Sequence, residues 1–107
     1  MKSVTADNAK KLIDDNLGNE NFELIDVRNP DEYECGYIKG SRLIPLNKLF
    51  ANLNQLDKNK TYLLYCRSGG RSYMAQEIMF ENGFLDVINL DGGVIEWLNH
   101  GYELDEK

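Results

Sequence analysis

The segment TYLLYCRSGGRSYMAQEIMFENG, residues 61–83, constrains this chain more than any other. Tyr62, Leu63, Leu64 and Tyr65 form a run without polar alternation, which predicts a central parallel strand covered on both faces. The run breaks at once into a polar, glycine-bearing stretch. A helical pattern follows, with Ala75, Ile78 and Met79 inward and Gly83 after Asn82 as a stop. Strand, tight polar loop and helix form the setting for a reactive group at the carboxyl edge of a parallel sheet. Cys66 stands where the strand gives out. Residues 66–71 would form a bowl with backbone N–H groups at its rim and the sulfur at its centre. Gly69 and Gly70 permit so tight a path, because neither carries a Cβ to oppose positive φ. Such a nest of N–H groups and the helix start both favour an anion, so a thiolate is the natural occupant.

The rest of the chain alternates in the same way. Ser3 and Val4 predict a short first strand, and Thr5 caps a helix over 6–16 with Asp7 and Asn8 in its first turn. Ala6, Ala9, Leu12 and Ile13 share one face of that helix, and Gly18 lies just beyond it. Residues 22–27, FELIDV, predict a buried strand. Asn29, Pro30, Asp31 and Glu32 are a compact helix start, and Gly36 limits that helix to about two turns. Leu43 and Ile44 predict a brief strand ended by Pro45; Leu46, Leu49, Phe50, Leu53 and Leu56 then fall at helical spacing against the sheet. Residues 57–60 are a polar connector, 86–90 a last strand, Gly92 and Gly93 a turn, and 94–99 a closing helix. Strands alternating with helices predict an α/β fold with a mainly parallel sheet. The 107 residues make a single domain, 1–107, without repeats or linkers, and its acidic end, 105–107, is expected to fray.

Composition removes several function classes. Net charge is −6, and no basic cluster exists beyond Arg67 and Arg71, which argues against nucleic-acid binding. Two arginines beside one cysteine in an acidic chain form a local anion funnel instead. No apolar run approaches the roughly 20 residues of a membrane span, and the amino-terminal residues lack a signal-peptide core. Both features point to the cytoplasm, where thiols stay reduced. With only Cys35, Cys66 and His100, neither a disulfide framework nor a metal cluster is available.

Three stretches carry a resemblance. LIDVRNPDEYECGYIKGSRLIP, residues 24–45, resembles the first signature of the rhodanese domain; CRSGGRS resembles its active-site loop, and LDGGVIEWLNHGYEL its closing segment. The resemblance implies a three-layer rhodanese-like fold around a five-stranded parallel sheet. It also implies a sulfurtransferase whose cysteine carries sulfur as a persulfide, without a bound metal or organic cofactor. The family usually has His where this chain has Tyr37, and often Ala where it has Ser41; a frequent Asn or His near Leu43 is absent. These positions lie in a connection of structural character.

On this reading Cys66 is the nucleophile, its pKa lowered by the helix start and nearby cations. It takes sulfur from a donor such as thiosulfate or a persulfide and yields it to cyanide, a small thiol or a protein thiol. The amides of residues 67–71 stabilise the persulfide. Arg67 and Arg71 attract the donor, Ser68 and Ser72 add hydroxyl hydrogen bonds, and Gly69 and Gly70 shape the bowl. Asp26 and Arg28 form a supporting ion pair. Cys35 is either a resolving thiol or an indifferent surface cysteine. Two alternatives stay open. One is a binding module without catalysis. The other is a phosphatase or arsenate reductase, for which Arg71 falls one position short of the C-x5-R spacing. Physiological donor, acceptor, pathway and oligomeric state are left open.

Overall fold

The computed structural model describes residues 1–106. Its elements are β1 (Lys2–Val4), α1 (Ala6–Asp15), β2 (Phe22–Asp26), α2 (Pro30–Glu34), β3 (Arg42–Leu43), α3 (Leu46–Asn52), a 3-10 turn (Leu53–Gln55), β4 (Thr61–Tyr65), α4 (Gly70–Glu81), β5 (Asp86–Leu90) and α5 (Gly93–Asn99). Local chemistry accounts for the helix starts. Thr5 Oγ1 accepts the Asn8 N–H at 3.3 Å at the head of α1. Pro30 opens α2, where its missing N–H costs nothing, and the Asn29 N–H donates to Glu32 Oε1 at 3.1 Å.

The strands form one sheet in the order β1-β5-β4-β2-β3, and every named pair is parallel. The architecture is thus the expected α/β fold, a five-stranded sheet flanked by helices. Tyr62, Leu63, Leu64 and Tyr65 of the central strand are all 0% exposed, which is why that run lacks polar alternation. Alternate side chains divide between two cores. Ile25, Tyr62, Leu64 and Cys66 pack with Leu49, Leu53, Ala75 and Met79 on the α3–α4 side. Leu24, Leu63, Tyr65, Ile88 and Leu90 pack with Ala6, Ala9, Val94 and Trp97 on the α1–α5 side. From β2 the chain crosses to β3, whereas from β4 it crosses the opposite way to β5. The carboxyl ends of these adjacent strands are therefore a topological switch point, where a crevice opens. Asp26 ends β2 in register with Tyr65 at the end of β4, and Cys66 is the next residue.

Two expectations are corrected. Phe50 does not cover the sheet but stays 70% exposed. Leu49 and Leu53 already take the inward side, and the step of about 100° per residue turns Phe50 outward. Residues 70–71, expected within the bowl and before the helix, already belong to the first turn of α4. Near the end of the described residues, the Asp105 N–H donates to Tyr37 C=O at 2.7 Å and its C=O accepts from Tyr37 N–H at 3.0 Å. Leu104, packed on the α1–α5 core and against Gly36, carries the backbone there. Lys107 lies outside the described residues. The departures at Tyr37 and Ser41 are absorbed locally. Tyr37 stacks on Tyr33 at 4.5 Å between ring centroids, and Ser41 Oγ lies 2.9 Å from the Tyr65 hydroxyl.

Candidate active site

Cys66 is buried, and its sulfur is ringed by donors. Sγ accepts the Gly69 N–H at 3.1 Å and the Ser72 N–H at 3.4 Å, and lies 3.4 Å from Ser72 Oγ. Burial pushes the thiol pKa up. The Ser72 hydroxyl and the N–H groups of Ser72, Gly69 and Ser68 outweigh it, and the net direction is down. Gly69, at φ +104°, supplies the turn that brings those N–H groups round. Gly70 has no such strain, and a Cβ there would meet open space. The reason for two glycines is therefore not the same at both positions.

The outer wall of the bowl is the start of α5. Val94 N–H donates to Cys66 C=O at 2.9 Å, and Ile95 N–H to Arg67 C=O at 3.0 Å. These are helix-start donors that normally need a cap, and the loop carbonyls serve as that cap. A trans peptide points its N–H opposite to its C=O. Turning the carbonyls of Cys66 and Arg67 toward α5 thus turns the N–H groups of Arg67 and Ser68 away from α5. The approach is close: a Cβ on Gly93 would lie 2.3 Å from Cys66 O.

Ser72 and Asn89 brace the inner wall. Ser72 Oγ donates to Asn89 Oδ1 at 2.5 Å, and Asn89 Nδ2 donates to Gly69 O at 3.4 Å. Both side chains are buried. Asp26 and Arg28 form a buried pair beneath the crevice, with Arg28 Nε 3.0 Å from each carboxylate oxygen and Nη2 2.7 Å from Oδ2. Arg28 Nη2 also donates to Gly36 O at 2.7 Å, and the guanidinium sits over the Tyr65 ring at 5.6 Å. At the rim, Arg71 is bidentate to Glu32, with Nη1–Oε1 at 2.6 Å and Nη2–Oε2 at 2.9 Å. Chiefly because of this bond the Glu32 carboxyl falls to about 2, and the arginine's pKa is raised.

Residues 5–100 match the family model for the rhodanese-like domain. The chain belongs to the rhodanese-like family. A protein from Allochromatium vinosum named sulfurtransferase is 35% identical over 82 residues, covering 77% of each chain. The Bacillus subtilis protein YqhL is 40% identical over 97 residues, covering 91% of this chain and 72% of its own. A crystal structure of a rhodanese-like domain protein from Staphylococcus aureus superposes with a TM-score of 0.84 at 36% identity, covering 100% of this chain and 99% of that one.

In this rhodanese-like domain the expected residues lie along one sheet edge, with one change. Arg71 is not a free cation beside Arg67, because Glu32 holds it. Arg67 is exposed and makes no ion pair among the described residues. The Ser68 N–H is among the groups that lower the Cys66 thiol pKa. Sequence reasoning assigned Gly92 and Gly93 shape alone, and that shape is the clamp on the loop. It missed Glu32 and Asn89 as site residues. A polar residue inside the apolar run VINL was the available signal for Asn89, since a buried polar group needs a partner. Cys35 is exposed at the end of α2 and takes no part in the hydrogen bonds around Sγ.

Proposed function

We infer that this rhodanese-like domain is a sulfurtransferase in which Cys66 carries sulfur as a persulfide between a sulfane-sulfur donor and a nucleophilic acceptor. The observation that carries the reading is the sulfur itself, buried yet held by the Gly69 and Ser72 N–H groups. Such a setting favours the thiolate, the nucleophilic form. With thiosulfate, the thiolate attacks the outer sulfur and the S–S bond to the sulfonate breaks. Sulfite leaves with the bonding pair, and Cys66–S–S⁻ remains. A nucleophile, cyanide or a small-molecule or protein thiol, then attacks the terminal sulfur and regenerates the thiolate. Splitting one transfer into two is the usual benefit of covalent catalysis. The loop N–H groups and the head of α4 are positioned to stabilise the negative terminal sulfur.

Loop size supports sulfur over phosphate. Gly70 and Arg71 already belong to α4, so the open part of the loop is Arg67, Ser68 and Gly69. A bowl this small suits one sulfur atom better than a tetrahedral oxyanion. The chemistry needs a free thiol, which fits a reducing compartment such as the cytoplasm.

Intact mass spectrometry after thiosulfate or persulfide treatment tests the reading, with Cys66→Ser as control. Gain of one sulfur atom only in the unmutated protein is the expected result. A folded protein that never gains sulfur would be a binding module. Cys66-dependent hydrolysis of an aryl phosphate would move the assignment to phosphoryl transfer.

A further inference from the structure

The loop carries two arginines, but one of them is not available to an incoming anion. Arg71 is gripped by both oxygens of Glu32, whose backbone lies on α2, across the mouth from α4. Glu32 is itself held in place, because Oε1 also accepts the Asn29 N–H at 3.1 Å. The carboxyl, depressed to about 2, is fully ionised at neutral pH. Asp26 and Arg28 cancel each other beneath the site. Glu32 cancels Arg71 at its rim. Arg67, exposed and without an ion pair among the described residues, is then the one loop arginine left uncancelled, and against the Cys66 thiolate it leaves the loop no surplus positive charge with which to draw in a dianion.

From this geometry, and resting on the sulfurtransferase reading, we propose that Glu32 is a specificity-determining residue that acts through Arg71 to disfavour dianionic donors such as thiosulfate. The donor class it favours is a low-molecular-weight persulfide with at most one net negative charge. In that reaction the Cys66 thiolate attacks the outer sulfur of R–S–SH. The donor's S–S bond breaks, R–S⁻ leaves with the bonding pair, and the proton stays on Cys66–S–SH. Atoms and charge balance without an oxidant. A thiosulfate dianion must instead approach the Cys66 thiolate with the Arg71 charge already cancelled by Glu32, which costs Coulomb energy that a singly charged donor largely avoids.

The test compares kcat/KM for thiosulfate and for cysteine persulfide in the wild type, Glu32→Gln, Arg71→Ala and the double variant, at low and high salt. Glu32→Gln keeps an oxygen to accept the Asn29 N–H and removes only the charge. It is expected to raise kcat/KM for thiosulfate roughly tenfold, chiefly through KM, and to change the persulfide value less than about twofold. The gain should shrink at high salt. Arg71→Ala leaves Glu32 uncompensated and should depress thiosulfate more than persulfide. The double variant should return the donor ratio to near the wild-type value. Parallel changes for both donors, or an unchanged thiosulfate KM in Glu32→Gln, would overturn the assignment to Glu32 while Cys66 still gained sulfur by mass. If wild-type Cys66 gains sulfur from neither donor, the sulfurtransferase reading fails first and takes this inference with it.

Discussion

Gly93 stands so close to Cys66 that a β-carbon on it would lie 2.3 Å from the cysteine's carbonyl oxygen, and 2.7 Å from the carbonyl of Arg67. Gly93 also has φ +53°, which an alanine adopts only under strain. Gly93→Ala is therefore expected to lower stability by about 2–4 kcal/mol in urea denaturation and to slow alkylation of Cys66. Gly70→Ala is the contrast, since a Cβ there meets open space in a helical turn. It should be neutral or stabilising by up to about 1 kcal/mol. Equal losses in the two variants would mean that the clamp between α5 and the loop is unimportant.

The state of the thiol offers a second test. The pH profile of iodoacetamide alkylation at Cys66 should have its midpoint below the ordinary thiol value of 9.0, because its hydrogen bonds outweigh burial. Ser72→Ala removes the hydroxyl but keeps the N–H, so the midpoint should move up and remain sharp. No movement would assign the whole effect to the backbone.

Asp26 and Arg28 are 0% and 5% exposed, and breaking such a pair leaves a charge buried without its partner. Arg28→Ala is expected to cost about 3–5 kcal/mol by chemical denaturation. Arg28→Lys should recover little, since an ammonium cannot reproduce the fork on Asp26 together with the bond to Gly36. Sulfur loading per folded molecule should stay near the wild-type level in both; a selective loss of loading would give the pair a direct part in the chemistry.

Glu32 predicts a pH window. Its carboxyl falls from an ordinary 4.5 to about 2 on folding, so the native state holds the ionised form more tightly than the unfolded chain does. The resulting stability is fully present above 4.5 and is lost as pH falls through about 2. Both side chains keep contact with water, at 33% and 24% exposure, so the contribution at neutral pH is about 1 kcal/mol or less. The stability gap between wild type and Glu32→Gln, followed by urea denaturation, should close across that window. A gap that is flat with pH would show that the carboxylate gains nothing from Arg71.

What the sequence made legible was local. The apolar run into β4, the break at Cys66 and the helical spacing of Ala75, Ile78 and Met79 placed the loop at the sheet edge before any coordinate was known. The signatures of the helix starts, Thr5 and Asn29-Pro30, worked for the same reason: cap and helix are neighbours in the chain. The pairing of Glu32 with Arg71 spans 39 residues, and nothing in either local pattern announces it. Asn89 with Ser72 and Asp105 with Tyr37 are likewise contacts of the folded state alone. Phe50 was misplaced because a helical stripe of Leu46, Leu49, Phe50 and Leu53 is wider than the strip of sheet that α3 covers. Glycine carried two meanings that composition cannot separate, since Gly69 has φ +104° and Gly70 does not take positive φ.

The carbonyls that shape the thiol's cradle are also the groups that finish the head of α5. The chemistry and a helix terminus thus share the same two peptide planes, and neither can relax alone. Sulfur should come and go through a rigid vestibule, with no lid swinging over it. Deuterium uptake at the amides of Val94 and Ile95 becomes a built-in gauge of the loop: it should stay slow throughout a turnover cycle, and quicken only when α5 unravels.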